Sequence, residues 1–91
     1  MRKYYIYFMT NKYNTVLYVG VTSNLHKRVL QHTNNVSNFT TRYNGTKAIY
    51  WEVFSDIRDA IAREKQIKSW SRERKERLIN EINPEWRDLM P

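Results

Sequence analysis

"YYIYFMTNKYNTVLYVGV", residues 4–21, decides how this chain folds. Residues 4–10 and 15–21 are rich in β-branched and aromatic side chains and enclose the polar "NKYN", which predicts a hairpin with a four-residue loop. A symmetric register places Tyr7 opposite Tyr18 and Tyr5 opposite Gly20. Side chains alternate with period two along a strand, so both pairs share one face of the sheet. That face carries three tyrosines and a gap.

Downstream, "TSNLHKRVLQH" offers Ser23 or Asn24 as N-cap and Leu25 and Val29 at helical spacing, predicting a helix from 25 to about 33. Arg28 and His32, four apart, leave the same side of it. "TNNVSNFTTRYNGT" is polar, ends in an Asn-Gly turn signal and reads as a loop of about a dozen residues, a length more often functional than filler. "KAIYWEVF", 47–54, is a third strand. A helix capped by Asp56 follows to about Trp70, and Ser71 caps a second, highly charged one whose Leu78, Ile79 and Ile82 dock on the body. Pro84 stops that helix, and Trp86 and Leu89 pin the tail. The order ββαβαα makes a small α/β sandwich.

Ninety-one residues predict one domain with a small core, burying about 60% of the surface its unfolded chain exposes. Hydrophobic residues make up 41%, and the seven tyrosines and three tryptophans exclude a disordered basic tail. Sixteen Lys and Arg against nine Asp and Glu give a net charge of +7 and a pI near 9.9. Such an excess favours a polyanion, either nucleic acid or an acidic membrane surface. The absence of cysteine excludes disulfides and thiolate metal sites. No apolar run reaches transmembrane length and the N-terminus reads as a strand rather than a signal, so the expectation is a cytoplasmic protein without a membrane partner.

The residue hardest to place is Glu64. On a helix, Ile57, Ala60, Ile61 and Ile67 fall on one face, and Glu64 lands near the centre of that stripe. A carboxylate there must be protonated, salt-bridged or bound to a metal. A salt bridge to Arg28 and a Mg²⁺ ion completed by water and a substrate phosphate both satisfy it. Tyr7 and Tyr18 either stabilise the hairpin or turn their hydroxyls into a pocket. Guanidinium at Arg28 suits the non-bridging oxygens of a phosphate, and His32 suits proton transfer. Residues 58–77 hold eight Lys and Arg; most of these read as a solvated face, but Lys65, Lys68, Arg72 and Lys75 recur at three- and four-residue steps and suit a phosphate backbone.

Together, "YIY" at 5–7, "YVG" at 18–20, Arg28 and His32 in the following helix, and Glu64 in "AREKQIKSW" resemble the GIY-YIG nuclease domain. The likeness covers nearly the whole chain, and the "FTTRYN" loop and "NPEWRDL" tail are similar to those of its small stand-alone bacterial members. The resemblance implies a three-stranded antiparallel sheet flanked by helices, and metal-dependent hydrolysis of DNA phosphodiesters with one Mg²⁺ or Mn²⁺ ion. It assigns Glu64 to the metal, Tyr7 to activating or orienting water, Tyr18 to the water or phosphate, Arg28 to the transition state and His32 to proton transfer. Gly20 would let the backbone approach the substrate, and Arg42, Tyr43, Lys65, Lys68, Arg72 and Lys75 would hold DNA. Two positions depart from the family. Tyr5 replaces the first glycine of the motif, and Asn80 is the nearest counterpart of an asparagine that larger members carry after the glutamate. Two rivals from other classes are a non-catalytic nucleic-acid-binding module built on the basic helix, and a structural protein in which Tyr7, Tyr18, Arg28 and Glu64 form a closed core network.

Overall fold

The computed structural model describes residues 2–28 and 46–89. Strand β1 (Tyr4–Asn11) is central, with β2 (Leu17–Thr22) antiparallel on one side and β3 (Thr46–Phe54) antiparallel on the other. Helices α1 (Ile57–Lys68) and α2 (Arg72–Asn80) follow. This is the three-stranded antiparallel α/β architecture expected from the sequence.

The hairpin register differs from the symmetric one. Tyr7 lies opposite Gly20, Met9 opposite Tyr18 and Tyr5 opposite Thr22, a shift of two residues. Asn11 is the cause. Its Oδ1 accepts from the backbone N–H of Thr15 at 2.8 Å and of Val16 at 3.3 Å, while its Nδ2 donates to Thr15 Oγ1 at 2.7 Å. Thr10 Oγ1 donates to the Val16 carbonyl at 2.6 Å, and Asn14 takes a positive φ of 60° in the turn. These local bonds remove residues 15 and 16 from the ladder and lengthen the loop. An even shift keeps every side chain on its predicted face.

One face of the sheet presents Ile6, Phe8 and Tyr50 to Ala60 and Ile67 of α1, Ile79 of α2 and Trp86, forming the main core with Ile49. Each fully buried Ile6 or Phe8 contributes about 1.5–3 kcal/mol. The opposite face carries Tyr7, Met9 and Ala48, with Tyr5 and Trp51 partly buried, under Leu25. Asn24 caps the helical turn 25–28, its side chain accepting from the Lys27 N–H at 3.0 Å. The predicted continuation of that turn to about 33 lies outside the described residues.

Asp56 and Ser71 cap α1 and α2 as predicted, each side chain accepting from the N–H two or three residues on. Helix α1 ends at Lys68 and α2 at Asn80, ahead of Pro84. Ile82, expected to dock, is 68% exposed. Residues 83–89 fold back along β3. The Leu89 N–H donates to the Ala48 carbonyl at 2.8 Å, so Leu89 pins the tail by its backbone and not by its half-exposed side chain. Between Phe8 and Met9 the β1–β3 pairing slips, leaving Ile49 as the extra residue of a β-bulge. The buried Asn83 side chain donates to the Ile49 carbonyl at 2.9 Å, supplying a partner to a group at the irregular point of the ladder.

Candidate active site

Tyr7 and Gly20 face each other across β1 and β2, and the absent side chain of Gly20 is what admits Tyr7. A Cβ on Gly20 would stand 2.5 Å from the Tyr7 hydroxyl oxygen and 2.7 Å from its Cζ, closer than real Cβ atoms approach anything. The space expected to admit a substrate is filled by the phenol. Tyr7 is only 3% exposed, packed with Met9, Leu25 and Ala48.

The same hydroxyl oxygen accepts from Arg28 Nε at 3.0 Å. The contact joins residues 21 positions apart and ties the helical turn to the sheet. Arg28 itself is exposed, and Nε is the atom it commits to Tyr7 among the described residues. The bond restrains the orientation of an otherwise exposed guanidinium. Tyr18, on the same sheet face and diagonal to Tyr7, is 48% exposed. Structure thus brings together Tyr7, Gly20, Tyr18 and Arg28, and leaves one phenol buried and the other accessible. A closed, internally satisfied core network does not describe them.

Glu64 does not pair with Arg28. Its ion partner among the described residues is Lys68, with Nζ 3.5 Å from Oε2 one helical turn on. That separation exceeds an ordinary N–H···O bond, and such i,i+4 pairs are worth only about 0.3–0.5 kcal/mol. The Glu64 side chain is nevertheless just 15% exposed. The helix places it: Glu64 is about 100° round α1 from Arg63. Arg63 reaches Glu52 on β3, so the opposite flank, with Glu64 and the one-third-exposed Ile57 and Ile61, turns to the β2 side of the sheet. Helix α1 packs on β2 as well as on β1.

A largely shielded carboxylate with a loose lysine contact suits one divalent cation. Among the described residues no three His, Asp or Glu side chains gather to form a metal cage. A single carboxylate fits Mg²⁺, which keeps several waters and takes its remaining oxygens from substrate phosphate.

A second polar cluster escaped the sequence reading. Arg63 Nε and Nη2 donate to the two Glu52 oxygens at 2.9 and 3.0 Å, and Tyr50 donates its hydroxyl to Glu52 at 2.6 Å. Burial raises the Glu52 pKa, but the bonds from Arg63 and Tyr50 outweigh it and hold the carboxyl below its ordinary range. Burial first, and the adjoining carboxylate second, push the Tyr50 phenol well above its usual value. Trp70 receives the guanidinium groups of Arg63 and Arg74 at 5.3 and 4.2 Å from its ring centre. This cluster locks α1 to β3. Its only sequence signal was Glu52 facing the same side of β3 as Tyr50 and Phe54.

The basic row is divided. Ser69 closes α1 and Ser71 opens α2, so Lys65 and Lys68 lie on a different helix from Arg72 and Lys75. Arg72 pairs with Glu76 at 2.7 Å and donates to the carbonyls of Thr15 and Asn14 at 2.9 and 3.2 Å, tying α2 to the hairpin loop. Asn80 is likewise structural, its Oδ1 accepting from Trp86 Nε1 at 2.7 Å. His32, Arg42 and Tyr43 lie outside the described residues.

The chain belongs to the GIY-YIG catalytic domain family, whose model it matches over residues 3–77. Among its relatives are the UPF0213 proteins. It is 34% identical over 82 residues to UPF0213 protein SSP2268 of Staphylococcus saprophyticus, covering 89% of this chain and 99% of that one. It is 39% identical over 77 residues to UPF0213 protein CPE1444 of Clostridium perfringens, covering 84% and 82%. The solution structure of UPF0213 protein BH0048 from Bacillus halodurans has the same fold, with a TM-score of 0.60 and 24% identity over 92% of this chain and 89% of that one. The family is one of nucleases. No helix among the described residues is long and apolar enough to cross a membrane.

Proposed function

We propose that the protein is a divalent-metal-dependent DNA endonuclease that hydrolyses phosphodiester bonds. The observation that carries this is the Arg28 Nε bond to the buried Tyr7 hydroxyl over Gly20, which orients an exposed guanidinium on a strongly basic chain, on the sheet face that also carries the accessible Tyr18. Rigid cationic donors aimed at non-bridging oxygens are what phosphoryl transfer requires, because charge builds there as water enters and the alcohol leaves. Arg28 binds that charge through Nη. Tyr7 orients Arg28 and presents its oxygen to the attacking water, and Tyr18 hydrogen-bonds the water or the phosphate from the solvent side. His32 serves proton transfer by its place in the family motif. Glu64 holds one Mg²⁺ or Mn²⁺ ion, which supplies Lewis-acid stabilisation of the phosphate and the leaving oxygen. Lys65, Lys68 and Lys75 add long-range attraction for the DNA backbone.

The test is cleavage of linear, branched and single-stranded DNA with Mg²⁺ or Mn²⁺, compared with EDTA and with Glu64→Gln. Metal-dependent cutting lost in Glu64→Gln supports the reading. If wild type binds DNA with steep salt dependence yet cuts none of these, the protein is a binding module instead; if Glu64→Gln cuts equally well, Glu64 does not hold the metal.

A further inference from the structure

Two clefts meet on the tyrosine face. One, of about 330 Å³, is lined by Tyr5, Trp51, Leu25, His26, Ser23 and Asn24. The other, of about 370 Å³, is lined by Lys27, Arg28, Thr22 and the same Ser23 and Asn24. The first is lined by two large aromatic side chains together with polar ones. The second offers two cations, one of them the arginine held by Tyr7. A flat aromatic group joined to an anion by a short linker fits both at once, which is the chemistry of a nucleotide.

We infer that the Tyr5–Trp51 cleft is a stacking site for one unpaired nucleobase next to the phosphate held at Arg28. The inference rests on the nuclease reading and deepens it by naming a substrate class. Inside a duplex both faces of a base are covered by its neighbours, so only a base out of the stack enters the cleft. The substrate is then a strand with an unpaired nucleotide beside the cut, as in single strands, flaps and bulges. Tyr5 also gives a purpose to the departure from the family motif. A glycine there would leave Trp51 without its aromatic companion in the cleft lining.

The test uses Glu64→Gln protein, which removes turnover, and single-stranded and flapped DNA with 2-aminopurine at the unpaired position. Binding quenches the 2-aminopurine fluorescence if the base stacks. Trp51→Leu and Tyr5→Leu, each checked for folding by circular dichroism, abolish the quench and weaken binding of these DNAs about tenfold or more, leaving fully paired duplex binding unchanged. Trp51→Phe keeps both. Having the second leucine variant keeps the test decisive if one fails to fold. Equal losses on duplex and unpaired DNA, or no loss in either leucine variant, overturn the stacking site while the nuclease reading stands. Absence of binding to every DNA overturns both.

Discussion

Replacing Gly20 with alanine tests the centre of the site directly. In a strand such a change ordinarily stabilises by about 0.4–1 kcal/mol, because it narrows the unfolded ensemble. Here the new Cβ would stand 2.5 Å from the Tyr7 oxygen and 2.7 Å from Cζ, and the backbone of Gly20 needs no conformation that alanine avoids. A phenol is rigid, and this one is packed against Met9, Leu25 and Ala48, so it relieves the clash only by moving the ring or the strand. Overpacking of that kind costs about 1–3 kcal/mol. The net expectation is a loss of about 1–2 kcal/mol, which for a chain of this length lowers Tm by about 5–15 °C. Thermal and urea melts followed by circular dichroism measure it. A double-mutant cycle with Tyr7→Leu isolates the cause, since removing the ring should return the cost of the alanine to zero or below. An alanine variant as stable as wild type, or one equally destabilised with and without Tyr7, refutes the account.

Arg28→Lys removes the planar donor and its bond to Tyr7 while leaving a charge, so cleavage falls about 100- to 1000-fold, measured well below a modestly lowered Tm; retention of most activity would exclude a fork-specific role. Because Glu52 has a depressed pKa when folded, its pairing stabilises above the ordinary value of 4.5 and is lost as pH falls through the folded pKa. Glu52→Gln should therefore be less stable at pH 7 and show a shallower loss below pH 4.5 in denaturant titrations, and parallel profiles would argue against the pair. Asn83→Ala removes a bond to the Ile49 carbonyl and two that fold the tail at Arg87, costing about 1–3 kcal/mol and speeding amide exchange at residue 89. An unchanged exchange rate would show that the tail is held elsewhere.

Much of this arrangement was legible because period two is robust. Tyr7, Tyr18 and Gly20 share a face in any register that differs by an even number, so the sequence places these three residues on one side of the sheet. The pairing itself turned on Asn11, whose side chain competes with the ladder for two backbone donors. A symmetric loop takes no account of that. The stripe on α1 correctly buries Ala60 and Ile67, yet Ile57 and Ile61 are each 37% exposed because they lie on the flank shared with Glu64. Arg63 was grouped with a solvated run; its partner is eleven residues upstream on another element. Charge patterning along one helix is blind to such a contact. The same holds for Arg28, whose chemistry was evident and whose partner, Tyr7 and not Glu64, was set by tertiary geometry.

The bulge at Ile49 and its bond from Asn83 bear on how the protein forms during synthesis. Strands β1 to β3 emerge from the ribosome first, but the main core also needs Trp86, and β3 needs Asn83 and the Leu89 N–H along its outer side. A nascent chain stopped at Asn80 would expose that side of the sheet and part of the core. Closure of that side therefore waits for residues 83–89, and the sheet and core are complete only once this tail has paired with β3.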